Sequence, residues 1–336
     1  MNLRSRKGLF NTCVLFILVA VAAFSPALRA AVAAGSESAA EPRLADEKIK
    51  LHLKSYEYDH SAPLNAAESV VLKAGVYTQY HFVVDSTNGE RVTGFLYMPM
   101  KPKPPFPCII VQHGYGGDKG MGGVFAGFLV PRGYAVAAID IEYHGERKQE
   151  GKDVLSTDVE DDARALRQSV IDLMRTVDYL NARGDIDMDR IGYIGASLGS
   201  FLGAVFTGID ERVKSVLLIV GGGDWEKMLA SSQVGSFGVL RDFYKRKGLS
   251  YADFDARMDV VEPLNYIGRV APRPLLMINC SNDKFVPKET AEELYAAARD
   301  PKKIEWYTCD GDIAHVPPVD KTLVQIRDWF KQTLGK

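Results

Sequence analysis

A chain of 336 residues with 46% hydrophobic and 25% charged residues has a globular composition and length enough to bury a large core. Its formal net charge of −2, with no Lys/Arg cluster interleaved with aromatics, excludes the basic surface that nucleic-acid binding needs. The first 34 residues stand apart. Arg4, Arg6 and Lys7 precede an apolar run of eleven residues, 14–24, followed by Pro26 and a string of small residues. That order is the order of a secretory signal peptide, with cleavage expected between Ala30 and Ala34. The run falls short of the ~20 residues that span a bilayer, and an uncleaved N-terminal anchor is the alternative. Cleavage would remove Arg4, Arg6, Lys7 and Arg29 and no acid, taking the charge from −2 to −6. The expectation is an exported protein, periplasmic or secreted, without stable membrane insertion. Three cysteines remain, Cys108, Cys280 and Cys309, so at least one is unpaired.

Residues 35–54, opening with "GSESAAEPRLADE", read as a linker, and the folded domain is expected over 55–336. "VYTQYHFVV" and "VTGFLYMPM" are rich in β-branched and aromatic residues and predict a hairpin turning at Asn88-Gly89. "CIIVQHG" is a short apolar run fit for a strand buried on both faces, and Cys108 within it reads as a small buried hydrophobe. "VFAGFLVPRGY" predicts a helix stopped near Pro131, and "AVAAID" another buried strand. Ala163, Leu166, Val170, Leu173, Val177 and Leu180 recur every three or four residues, which predicts an amphipathic helix over 160–183 capped by Gly184.

Further strands are expected at "RIGYIG", "VKSVLLIV", "PLLMINC" and "KIEWYTC", with helices at "SLGSFLGAVF", "KETAEELYAAA" and Val319 to Leu334. Residues 224–268, with Trp225, Phe237, Phe243, Tyr244 and Phe254, are too long for a simple crossover and predict a small helical cap insertion. The fold class is α/β: a mostly parallel eight-stranded sheet with helices on both faces. Cys280 and Cys309 each end a strand-like segment, and their pairing stays open.

"RIGYIGASLGS" places Ser197 between Gly195 and Gly199, after a short strand and before a helix. This G-x-S-x-G context is a nucleophile elbow: the serine takes a strained backbone, and side chains two residues away would collide with the turn. A serine nucleophile needs a base and an acid to orient it, in the chain order Ser, Asp/Glu, His. Asp283 follows the strand "LLMINC" and His315 follows "KIEWYTC", so both fall at the strand edge where Ser197 sits. Asp224 and Asp312 are the rival acids, and His113 and His144 are candidates to line the site. Two oxyanion donors are expected, the backbone N–H of Leu198 and that of Tyr115 in the glycine-rich loop "HGYGGDKG". Lys119 in that loop lacks a phosphate-loop frame, and no CxxC or HxxxH spacing suggests a metal.

"HGYGG", "GASLG", "NDKFVP" and "AHVPP", in this order, resemble the α/β-hydrolase superfamily. "GFLYMPMKPKPPFPCIIVQHGYGG" and "PRGYAVAAIDIEYHGE" resemble its dienelactone-hydrolase-like and acetyl-xylan-esterase-like exported esterases. The resemblance implies a Ser197–Asp283–His315 triad, an oxyanion hole at Tyr115 and Leu198, and no metal or organic cofactor. It departs from dienelactone hydrolases in having a serine where they carry a cysteine, and it has Ser200 where many relatives have a second glycine. The expected activity is hydrolysis of a small-molecule or carbohydrate ester through an acyl-enzyme. A serine peptidase or amidase of the prolyl-oligopeptidase type, and a non-catalytic binding protein, are the rivals. Oligomeric state is not legible.

Overall fold

The computed structural model describes residues 46–335; the signal-peptide reading and the start of the linker lie outside them. A nine-stranded sheet forms the spine. Its strands are β1 (Ala67–Ala74), β2 (Tyr77–Asp85), β3 (Arg91–Pro99), β4 (Phe106–Gln112), β5 (Ala135–Ile139), β6 (Ile186–Ala196), β7 (Ser215–Ile219), β8 (Leu275–Cys280) and β9 (Lys302–Tyr307). The spatial order is β1-β2-β3-β5-β4-β6-β7-β8-β9. β1, β2, β3 and β5 pair antiparallel, and every pair from β5 through β4 to β9 is parallel.

The sheet has one strand more than the eight expected. β1, "AESVVLKA", sits exposed on the edge, so it carries neither the alternation of a half-buried strand nor the apolar run of a buried one. A second correction falls in the supposed linker. Asp46–Lys54 is a helix, α1, whose Ile49 and Leu53 pack against the core. The polar composition around it masked that short apolar face.

β4, β5, β7 and β8 are buried along their whole length, because helices cover both sheet faces and leave neither to solvent. Alternate residues feed two cores. Ile110, Ala137, Tyr193, Leu218 and Met277 face one way, towards α3 (Val159–Arg183) and α4 (Leu198–Ile209). Ile109, Val136, Ile194, Leu217 and Ile278 face the other, towards α2 (Met121–Leu129) and α9 (Val319–Phe330). α3 starts at Asp158, whose side chain accepts the Asp161 N–H, and ends at Gly184, at φ 73°. At the β2–β3 turn, Asn88 and Gly89 hold the positive φ that such a turn demands. Cys108 is a buried free thiol.

Between β7 and β8, residues 224–268 form α5 (Trp225–Ser231), α6 (Gly235–Lys247) and α7 (Tyr251–Met258), then short 3₁₀ turns. Their aromatics make a small core of their own, in which Phe254 meets Trp225, Phe237 and Tyr244 edge to face. Glu262 closes the insertion by accepting the N–H groups of Asp224 and Trp225. α8 (Lys288–Ala297) connects β8 to the edge strand β9. Among the described residues no helix is long and apolar enough to cross a membrane.

Candidate active site

Ser197 sits between β6 and α4 with φ 53° and ψ −120°, a conformation that an L residue adopts only when its surroundings impose it. They impose it here by hydrogen bonds and by packing of bare backbone. The Ser197 N–H donates to Ile219 O at 2.9 Å, and Ser200 N–H donates back to Ser197 O at 2.7 Å. A Cβ on Gly195 would stand 2.3 Å from Gly199 O, and one on Gly199 would stand 2.3 Å from Gln112 O. The two glycines therefore let the elbow close on itself and on the end of β4. The Ser200 hydroxyl lies 2.8 Å from Gly195 O and 2.7 Å from Ile219 O, buttressing the turn from below.

The structure brings Ser197, His315 and Asp283 together. Ser197 Oγ is 3.0 Å from His315 Nε2. On the far side of the ring, Nδ1 lies 2.7 Å from Asp283 Oδ2 and 3.0 Å from Oδ1. Asp283 Oδ1 also accepts the N–H groups of Phe285, at 2.8 Å, and Val286, at 3.0 Å. The carboxylate side chain is 1% exposed and the imidazole 13%, so the acid is closed off while the ring reaches the surface. With the carboxylate accepting from Nδ1–H, Nε2 carries the lone pair and faces the serine hydroxyl. Phe285 flanks the imidazole, ring centres 5.2 Å apart.

The rival acids lie elsewhere. Asp224 caps α5, accepting the Lys227 N–H and pairing with Lys227 Nζ at 3.0 Å. Asp312 is exposed. Among the described residues no group of three or more His, Cys, Asp or Glu side chains is arranged to hold a metal ion.

Residues 113–120 run beside the elbow: a Cβ on Gly114 would lie 3.0 Å from Ser197 Cβ. Two histidines hold this loop. His113 Nδ1–H donates to Gly114 O at 2.8 Å, and its Nε2 accepts the Ile141 N–H at 3.1 Å. Burial, helped by the neighbouring His144, pushes the His113 pKa down to about 4, so the ring is neutral. His144 Nδ1–H donates to Glu142 O at 3.0 Å while its Nε2 accepts the Gly116 N–H at 3.0 Å. Gly117 N–H donates to Gly114 O, and among the described residues Tyr115 N–H has no protein acceptor. Leu198 opens α4, where first-turn N–H groups have no intrahelical partner and the helix dipole is positive.

Sequence reasoning missed that Lys119 of this loop is buried. Lys119 Nζ meets Asp140 Oδ2 at 2.6 Å and Glu146 Oε1 at 2.9 Å, and its N–H reaches Asp140 Oδ1 at 2.9 Å. Burial opposes the charge on Lys119, but the bonds it donates to both carboxylates outweigh it and raise its pKa. The pair fastens the loop to the end of β5. Only the sheet order, which sets β5 next to β4, could have announced it.

The Tyr115 phenol donates to Asp153 Oδ2 at 2.6 Å and lies 2.7 Å from Ser236 Oγ in the first turn of α6. Burial, together with Asp153, pushes its pKa up to about 12. The helical insertion thus touches the loop directly. Asp162, buried at the start of α3, accepts the Ser156 N–H at 2.6 Å and the Ser156 hydroxyl at 2.8 Å, and so holds the segment that carries Asp153.

Burial raises the Asp162 pKa to about 7, with Asp153 and Asp158 adding to the rise. The folded state then binds this proton more tightly than the unfolded chain does. Stability from this group is full at acid pH and is lost as pH rises towards 7. Asn at 162 keeps an acceptor for the Ser156 N–H. Asp162→Asn is expected to match wild type near pH 4, the ordinary carboxylate value, and to raise the thermal midpoint at pH 8 by about 2–4 °C. Scanning calorimetry at the two pH values checks this, and no gain at pH 8 refutes it.

A mostly parallel sheet wrapped on both faces, with a strained serine at a strand-helix elbow, defines an α/β-hydrolase, and the chain is a serine hydrolase. It belongs to the prolyl oligopeptidase family, whose sequence profile matches residues 126–335. It is 24% identical to the YtaP protein of Bacillus subtilis over 226 residues, 63% of this chain and 72% of that one. Acetyl xylan esterase 1 from Thermoanaerobacterium sp. JW/SL YS485 shares the fold, with a TM-score of 0.73 at 17% identity, over 85% of this chain and 93% of that one. The acylaminoacyl peptidase of Pyrococcus horikoshii shares it at a TM-score of 0.60 and 17% identity, over 78% of this chain but 43% of that one.

Proposed function

We propose that the chain is an exported serine esterase that cleaves short acyl esters, acetyl esters of sugars among them, through an acyl-enzyme on Ser197. The observation that carries this reading is the unbroken hydrogen-bonded line from Ser197 Oγ through the His315 ring to Asp283. His315 Nε2 takes the hydroxyl proton as Ser197 Oγ attacks the ester carbonyl. The oxyanion that forms accepts from the N–H groups of Leu198 and Tyr115. The imidazolium, paired with Asp283, then protonates the departing alcohol. Water, deprotonated by His315, attacks the acyl carbon and frees the acid and Ser197.

Ester cleavage is supported by the likeness to an acetyl xylan esterase over nearly the whole length of that protein. Export is supported by the N-terminal sequence pattern and by the Cys280–Cys309 disulfide, a bond that persists in oxidising compartments. The family name favours a second reading, a peptidase or amidase acting at the same serine. A series of p-nitrophenyl esters of rising acyl length, run beside aminoacyl p-nitroanilides, separates the two. Steep preference for the acetyl ester is expected, and faster turnover of the anilides overturns the ester assignment.

A further inference from the structure

Acid and base stand on two separate loops, Asp283 after β8 and His315 after β9, so their alignment depends on how those loops are fastened to each other. Beyond the Ser281 N–H and hydroxyl, which both reach Tyr307 O at the end of β9, they are fastened at three points. Cys280, the last residue of β8, is disulfide-bonded to Cys309, two residues beyond β9, with Cα atoms 5.6 Å apart. The carboxamide of Asn282 grips the backbone of the same Cys309: Oδ1 accepts its N–H at 2.9 Å, and Nδ2 donates to its carbonyl at 3.0 Å. Lys284 N–H donates to Ile313 O at 3.1 Å. Asp283 lies between Asn282 and Lys284, and His315 comes two residues after Ile313.

Between Cys309 and Ala314, which are both buried, the chain has little packing of its own. Asp310, Gly311, Asp312 and Ile313 are exposed. Gly311 has φ 85° and Ala314 φ 47°, left-handed backbone that is uncommon for alanine and persists only when the ends of the segment are held.

We propose that Asn282 and the Cys280–Cys309 bond form a two-part clamp that positions His315 between Asp283 and Ser197. Asn282 is then a positioning residue for the proton transfer, and the disulfide serves alignment as well as stability. The inference rests on the reading of Ser197, His315 and Asp283 as the reacting groups. The clamp acts through His315, so its loss is expected to fall on the chemical step rather than on substrate binding.

The test compares Asn282→Ala and the double variant Cys280→Ala/Cys309→Ala with wild type and with Ser197→Ala. Readouts are kcat, KM and the low-field proton resonance of the His315 Nδ1–H. Each clamp variant is expected to lose about 10- to 100-fold in kcat, as misplacement by about 1 Å does. KM should stay within about twofold, and the Nδ1–H resonance should shift or broaden. Wild-type kcat with an unmoved resonance overturns the clamp even if the thermal midpoint falls, since a plain structural staple behaves that way. Should the cysteine variant not fold, Asn282→Ala decides alone, because it keeps the covalent bond. Wild-type turnover no better than that of Ser197→Ala would instead refute the esterase reading, and the resonance still reports the clamp independently of substrate.

Discussion

Replacement of Ser197 by alanine is expected to lower kcat on p-nitrophenyl acetate by about 10⁶-fold, the loss seen when a nucleophile of this kind is removed. The physical reason is that no other group can take its place. Among the described residues, the hydroxyl at 3.0 Å from His315 Nε2 is that of Ser197, and the elbow that presents it is built around it. Alanine keeps the backbone bond to Ile219 O and adds no volume, so the fold should survive with a thermal midpoint near that of wild type. Activity retained within about tenfold would remove Ser197 from the reaction altogether. Labelling by a fluorophosphonate is a second measure: wild type should react at Ser197, and the variant should not.

Asp283→Asn should cost about 10⁴-fold in kcat at neutral pH, as loss of the orienting carboxylate does in other serine triads. The direction follows from the hydrogen bonds that Asp283 already makes. Its Oδ1 accepts two backbone N–H groups, from Phe285 and Val286. An asparagine must leave its carbonyl oxygen there and turn its NH₂ towards His315 Nδ1. The imidazole would then have to present a lone pair at Nδ1 and carry its proton on Nε2, facing the serine. That tautomer cannot take the hydroxyl proton. The backbone bonds survive, so stability should change little. Steady-state kinetics with a thermal melt on the same sample measures both, and kcat within about tenfold of wild type would show that the carboxylate does not set the tautomer.

Much of this site is legible in the amino-acid sequence. G-x-S-x-G between a strand and a helix marks Ser197 because the turn excludes side chains at Gly195 and Gly199, and the distances behind that exclusion are 2.3 Å in both cases. Asp283 and His315 were legible because each follows a strand, and parallel strands deliver their C-terminal ends to one edge. The chain does not announce what holds these groups still. Lys119 reads as one more loop lysine until the β5–β4 neighbourhood sets it against Asp140. His113 and His144 looked like lining residues and turn out to be braces, each with both ring nitrogens spent on backbone. β1 and α1 escaped prediction for a different reason: an exposed edge strand and a short surface helix bury too little to leave a periodic signal.

The amino-acid sequence by itself determined the class of fold, the order of nearly all its elements and the three residues of the hydrogen-bonded line. Local rules govern those features: apolar runs for buried strands, 3.6-residue periodicity for α3, glycines where backbone must touch backbone. Tertiary structure alone decided the ninth strand, the buried Lys119–Asp140 pair, the contact between Tyr115 and Ser236 of the insertion, and the pairing of Cys280 with Cys309 across 29 residues. Each of these joins groups far apart in the chain. Their meeting depends on which strands become neighbours, and that order is settled by the packing of the whole sheet.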